Sequence, residues 1–243
     1  MGSMTTMNGV EVYRAEPAGP PRGALIVIEE IWGLVDHIKD IADRWAAEGY
    51  LAVAPDLLSH GGVSPEVGEE LFLAVSSPDE AVRNAAQPKM REKLAPVREP
   101  AYGEWATAQL VKLVDALIEE PGIDGRIGVT GFCFGGTYSF ALAAADDRVR
   151  AAVPFYGTAP EASKIARISC PVLAFYGEHD HALMEKLPEV REGMRAAGVD
   201  FTDVVYEGAG HAFFNDTNSL AYRPEIAADA WAKATAFMAE HVG

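Results

Sequence analysis

Arg126-Ile127-Gly128-Val129-Thr130-Gly131-Phe132-Cys133-Phe134-Gly135-Gly136 decides how this 243-residue chain is read. An apolar run with β-branched residues ends in a Gly-x-Cys-x-Gly turn and passes directly into Thr137 to Ala145, a stretch of good helix formers. The order is strand, sharp turn, helix. Glycine on either side lets the turn close more tightly than a Cβ would allow, and it pushes Cys133 into a strained backbone region where its side chain stands clear. A cysteine at a helix start also has backbone N–H groups aimed at any oxyanion that forms beside it. The pattern is that of a nucleophile elbow carrying a thiol. On these residues alone, a small buried hydrophobe in a glycine-rich turn reads as well, so the rest of the chain has to decide.

Upstream, Val10 to Ala15 alternates as an edge strand does, and Pro17 to Gly23 is a turn. Ala24 to Ile28 is apolar without alternation, which predicts a central parallel strand buried on both faces. Asp36 to Glu48 has apolar residues at helical spacing, with Gly49 at the C-cap position, and Leu51 to Asp56 is the next strand. From Leu57 to Pro100 the pattern is irregular. Helices near Pro65 to Val75 and Asp79 to Lys93 are predicted there, in an excursion suited to facing a substrate. Tyr102 to Glu119 is an amphipathic helix leading back to the elbow strand. Downstream the alternation repeats, with strands at Val149 to Tyr156, Pro171 to Tyr176 and Phe201 to Tyr206, and helices at Leu183 to Ala197 and Pro224 to His241. Strands alternating with helices throughout predict one domain over residues 1–243: an α/β fold with a mostly parallel central sheet and helices on both faces.

Thirty-six acidic against twenty basic residues leave a net charge of −16, which argues against nucleic acid or an anionic membrane as partner. Apolar runs are too short for a membrane span, and Met1 to Gly9 lacks the basic and apolar regions of a secretory signal, so a cytoplasmic location is expected. Met1-Gly2-Ser3-Met4 reads as an added tag. Two cysteines make no disulfide scaffold in a chain this long, and a reducing compartment suits a working thiol. No Cys/His spacing suggests zinc. His179-Asp180-His181 aligns its imidazoles only if extended, and no metal is expected there.

A nucleophile at the end of a strand needs a base within reach, and the base needs a group to fix its tautomer. Pro171 to Asp180 puts an Asp just past a strand, and Val204 to His211 does the same for a His. The order Cys133, Asp180, His211 is the order nucleophile, acid, histidine that the α/β-hydrolase fold requires. Bland readings remain for each residue alone: Asp180 as the N-cap of the following helix, His211 as a loop histidine between glycines. Glu178 is a weaker candidate for the acid. His37, His60, His179, His181 and His241 lack the context and read as surface or supporting residues. Cys170, ahead of Pro171 with no helix start behind it, reads as a buried, inert thiol.

Glu29-Glu30-Ile31-Trp32-Gly33, Ala54-Pro55-Asp56-Leu57, Gly131-Phe132-Cys133-Phe134-Gly135-Gly136, Tyr176-Gly177-Glu178-His179-Asp180 and Gly208-Ala209-Gly210-His211-Ala212-Phe213 together resemble the dienelactone hydrolase family of the α/β-hydrolase superfamily. The resemblance covers nearly the whole chain. It implies a Cys133/Asp180/His211 triad, an oxyanion hole from the backbone N–H groups of Ile31 and Phe134, Glu30 close to the thiol, and opening of a lactone or activated ester without cofactor. A carboxyl next to the thiol can accept its S–H or turn to another donor such as an arginine. One departure stands out. Two arginines are expected to hold the substrate carboxylate in such enzymes, one shortly after the histidine, where this chain has Ala212-Phe213-Phe214-Asn215. Trp32, Phe213 and Asn215 are therefore candidates to line the substrate site, with Arg91 preferred over Arg83 and Arg98 as the remaining cation.

The expected partner is a small lactone or ester, and the sequence specifies no protein partner. A general carboxylesterase or thioesterase is the competing enzyme, because an elbow fixes acyl transfer but not the leaving group. A non-catalytic thiol sensor on the same fold is the competing class, and it has no need of Asp180 and His211 in register.

Overall fold

The strand Ala24–Ile28, apolar at every position, is buried throughout and lies near the middle of an eight-stranded sheet. The computed structural model describes residues 1–243. In chain order the elements are β1 (Ser3–Met7), β2 (Val10–Ala15), β3 (Ala24–Ile28), α1 (Asp36–Ala47), β4 (Leu51–Pro55), α2 (Pro65–Val75), α3 (Glu80–Lys93), α4 (Pro100–Ile118), β5 (Ile127–Phe132), α5 (Phe134–Ala145), β6 (Val149–Phe155), α6 (Ala162–Ile165), β7 (Val172–Gly177), α7 (His181–Ala197), β8 (Phe201–Tyr206) and α8 (Pro224–His241). The sheet order is β1-β2-β4-β3-β5-β6-β7-β8, antiparallel at β1/β2 and β2/β4 and parallel from β4 to β8.

Alternate residues of the central strands feed two cores. Ile26, Ile28 and Val129 pack with α4 and α5 on one face, while Leu25, Val27 and Phe155 pack with α1 and α8 on the other. Each central strand is apolar on both faces because each face is covered by helices.

The amino terminus corrects two expectations. Ser3–Met7 is no loose tag but a strand paired with β2 from Ser3↔Arg14 to Met7↔Val10, so Val10–Ala15 is not the edge of the sheet. The cause is the two-residue turn Asn8-Gly9, where both residues adopt positive φ (47° and 79°), as a tight hairpin of this twist requires. The expected helices at 65–75 and 224–241 form with those bounds. The short α6 was not expected, and α7 begins two residues before Leu183.

Candidate active site

At the end of β5 the chain turns through Cys133 at φ 56°, ψ −107°, and α5 begins at the next residue. The glycines are steric requirements. A Cβ on Gly131 would lie 2.3 Å from the Gly135 carbonyl oxygen, and one on Gly135 would lie 2.1 Å from that of Ile28. The Cys133 N–H is anchored to the Phe155 carbonyl at 3.1 Å, tying the turn to the neighbouring strand. Non-glycine residues with positive φ are Asn8, Asp124, Cys133, Tyr156 and Ala212. Three of these five surround the thiol, which is where backbone strain is expected to collect if the geometry is functional.

Asp180 occupies the N-cap position of α7 but makes no side-chain cap bond. Its Oδ2 lies 2.5 Å from His211 Nδ1 instead. The cap reading is thus half right: the residue sits there, and its carboxylate is spent elsewhere. Burial opposes charge on His211. The hydrogen bond to Asp180 and the proximity of Cys133 outweigh it, raising the imidazole pKa to about 10. The ring is thereby held against the Asp180 carboxylate on its Nδ1 side. Cys170, by contrast, is buried ahead of β7, and burial raises its thiol to about 11.

Glu30 is buried beside the elbow. Tyr156 Oη donates to its Oε1 at 3.1 Å and Asn215 Nδ2 donates to its Oε2 at 2.6 Å. Neither the thiol nor an arginine holds it. The next residue, Ile31, has an N–H with no acceptor in the chain, and Phe134 N–H, first in α5, has no intrahelical acceptor. Glu29 points the other way, where its Oε1 accepts from Leu57 and Leu58 N–H and pins the start of the irregular excursion. Burial, assisted by the charge of Asp56, pushes its carboxyl well above the ordinary range.

Several expected substrate contacts need correction. Phe213 is fully buried, its ring packed edge-on to Tyr156 and Tyr206, so it supports the site from behind. Asn215 is buried but borders the Phe72 cleft, with one amide N–H given to Glu30 and its Oδ1 accepting from Thr217. Arg91 is exposed on α3 and lines neither cleft at Trp32. His37 takes the supporting rather than the surface role, being buried with Nδ1 3.2 Å from Asp216 Oδ1.

Trp32 does line the site. It separates two clefts of about 370 and 400 Å³, one bordered by His211, Val75, Leu220 and Arg223, the other by Phe72, Leu73 and Glu69. Its ring meets Phe72 of α2 edge-on, 5.6 Å between centroids. Two residues escaped the sequence reading. Tyr156 directly follows β6, the strand next to the elbow, with its ring 5.0 Å from that of His211. Ligands of open α/β sheets gather at the carboxyl ends of the strands, and this rule could have found it. Arg223, the one cation bordering the His211 cleft, precedes Pro224 in a loop that carries no such signal.

The sheet order, the strained elbow and the Asp180–His211 pair define an α/β-hydrolase. The chain matches the dienelactone hydrolase family over residues 10–242 and belongs to it. A Methylorubrum extorquens protein provisionally named a carboxymethylenebutenolidase is 32% identical over 239 residues, covering 91% of this chain and 74% of that one. The protein called usf from Aquifex pyrophilus is 33% identical, with both chains covered completely. Among solved structures, a provisional dienelactone hydrolase from Klebsiella pneumoniae superposes with a TM-score of 0.82 at 28% identity, over 99% of each chain. The protein is accordingly a hydrolase. No helix is long and apolar enough to cross a membrane.

Proposed function

We propose that the protein cleaves a lactone or activated ester through Cys133, His211 and Asp180, by way of a thioester acyl-enzyme. The observation that carries this reading is geometric: His211 Nδ1 lies 2.5 Å from Asp180 Oδ2, which fixes the imidazole in one orientation, and in the proposed reaction the ring takes the Cys133 proton to form the attacking thiolate and an imidazolium. The thiolate adds to the carbonyl carbon, and the displaced electron pair rests on the oxygen beside the Ile31 and Phe134 N–H groups. Collapse expels the alkoxide, which takes the proton from His211. Water then adds to the thioester with neutral His211 accepting its proton, and the thiolate leaves, restoring the ion pair. One water is consumed and no redox change occurs. In a lactone the alcohol stays attached to the acyl part, so the product is a hydroxy acid. A working thiolate is oxidation-prone, which supports a reducing, cytoplasmic setting.

The substrate side of the reading rests on Trp32, Val75 and Leu220, which favour an apolar arm, and on Arg223 as the single cation. Turnover of lactones, aryl esters and thioesters by the wild type and by Cys133→Ala tests the mechanism. Loss on the order of 10³-fold or more is expected, with an acyl adduct on Cys133 by intact mass. Alkylation that labels Cys170 first and leaves activity whole would overturn it. For a carboxylated substrate, Arg223→Ala is expected to raise KM no more than about fivefold, since an exposed ion pair contributes about 0–1 kcal/mol, and to leave neutral esters unchanged.

A further inference from the structure

A cavity of about 670 Å³ lies away from Cys133 on the outer side of α5. Its size suits a small-molecule ligand, for which about 300–1,000 Å³ is usual. Helix α5 forms the floor, α4 is one wall, and the segment Thr158 to Arg167 around α6 is the other. Small side chains at Ala108, Ala141, Ala144 and Ala145 keep the helices from filling it. Small residues alone would mean only loose packing, but two further features point to a ligand.

The first is Tyr138. The residue is 9% exposed, and its hydroxyl makes no hydrogen bond within the chain. Burial drives its pKa up to about 12, so the group stays an O–H donor at any physiological pH. Gly103, opposite on α4, leaves the hydroxyl uncovered: even a Cβ there would stand 3.5 Å from it. The hydroxyl is open to the groove and is free to donate to a polar atom lying there. The second feature is charge. In a chain of net charge −16, the α6 wall contributes Lys164 and Arg167, neither of them paired with a carboxylate, against one acid, Glu104, on the α4 wall. An apolar floor, a neutral donor and two free cations on one side describe the complement of an amphiphilic anion.

We propose that this groove binds an amphiphilic carboxylate, an acyl chain lying along α5 with its head group at Lys164 and Arg167, as a site separate from the catalytic cleft. The chain covers the alanine floor, and the Tyr138 hydroxyl donates to a polar atom carried by the ligand or by a water held beneath it. The ligand's inner end would abut Thr137, whose hydroxyl accepts the Thr158 N–H at 3.0 Å and which follows Cys133 by one helical turn. Occupancy would thereby brace the turn that carries the nucleophile.

Decanoate is the probe, with decanol and acetate as controls, titrated calorimetrically into the full-length protein after Cys133 has been alkylated to close the catalytic cleft. Decanoate is expected to bind at one site per chain, at least tenfold more tightly than either control. The double substitution Lys164→Ala, Arg167→Ala, on an exposed wall, should weaken decanoate tenfold or more while leaving decanol unchanged. Ala141→Phe should abolish both by filling the floor, its fold checked by circular dichroism. Binding lost on alkylation of Cys133, or indifferent to the two cations, would overturn the proposal. So would a concentration-dependent dimer, seen by sedimentation, that the double substitution dissociates while decanoate fails to bind, because the groove would then be covered by a second copy.

Discussion

Tyr156 concentrates the physical logic of the site in one residue. It takes φ 39°, a conformation that is strained for an aromatic side chain, and from there it does two things. Its hydroxyl donates to Glu30, and its ring lies against His211, so imidazole and buried carboxyl are held by one rigid side chain. Burial and the nearby charges of Glu30 and Cys133 push its own pKa well above the ordinary value, so it donates and does not titrate. Tyr156→Phe keeps the ring and strands Glu30 Oε1 in a buried niche, a penalty of about 1–3 kcal/mol. The expected result is a melting temperature lowered by several degrees, with turnover reduced more than KM is raised. Wild-type stability would show that water satisfies Glu30 instead. Glu30→Gln separates support from chemistry. If the carboxylate moves to take the thiol proton during turnover, loss should be on the order of 10²-fold with the fold intact. Near-normal turnover, with the alkylation rate of Cys133 unchanged across pH, would leave Glu30 as scaffold for Tyr156 and Asn215 and His211 as the only base. The sequence exposed Glu30 through the run after β3 but not its two partners, which come 126 and 185 residues later. Long-range partners of a buried carboxyl have no local signature.

At the scale of elements, α2 shows why the stretch from 57 to 100 resisted reading and still matters. Its Ser64 cap and Pro65 start are ordinary local signals, and its bounds were legible. What was not legible is the reason for Gly68. A Cβ there would sit 1.6 Å from the carbonyl oxygen of Trp32, so the helix crosses the Trp32 backbone at a separation only glycine permits. That crossing fixes the wall between the two clefts and, one residue upstream, the N–H of Ile31. Gly68→Ala gains helix propensity, about 1 kcal/mol, but this cannot offset a backbone overlap of that size. The helix must slide outward. The expected outcome is a clear fall in kcat with little change in far-ultraviolet circular dichroism, because the displaced Trp32 loop carries the Ile31 N–H away from where the proposed reaction needs it. Gly103→Ala, whose Cβ would have room, is the control and should keep its activity. The elbow was easier to read for an opposite reason: both of its glycines are demanded within five residues of one another, so the constraint is written locally.

For the whole molecule, the parallel core was readable because strands buried on both faces are apolar without alternation, as Ala24–Ile28 is. The amino-terminal hairpin was missed although Asn8-Gly9 announces it, because four of the five residues of β1 are exposed and no apolar pattern marks them. Sheet order beyond the neighbours of β5 depended on the winding rules rather than on any residue. Net charge is a property of this same scale, and it carries the remaining prediction. Many basic residues are already engaged, as in Arg14 with Glu16 and Glu120, Arg148 with Asp115 and Asp146, and Arg191 with Asp203. The unpaired charge is therefore overwhelmingly acidic, and folding draws it together. Salt weakens both the attractions and the repulsions. The exposed pairs contribute about 0–1 kcal/mol each, at contact distances where screening is least effective. Repulsion among sixteen excess charges acts over longer distances and responds strongly as the Debye length contracts from about 30 Å at 0.01 M to about 8 Å at 0.15 M. Repulsion should dominate, so the melting temperature at neutral pH is expected to rise by several degrees between those salt concentrations. Near the isoelectric point of about 4.7 the rise should vanish or reverse, since the net charge is gone and only the pairs remain to be screened. Scanning calorimetry at two salt concentrations and two pH values measures both effects. A melting temperature that falls with salt at neutral pH would show that the ion pairs, not the excess acid, govern the electrostatic part of stability.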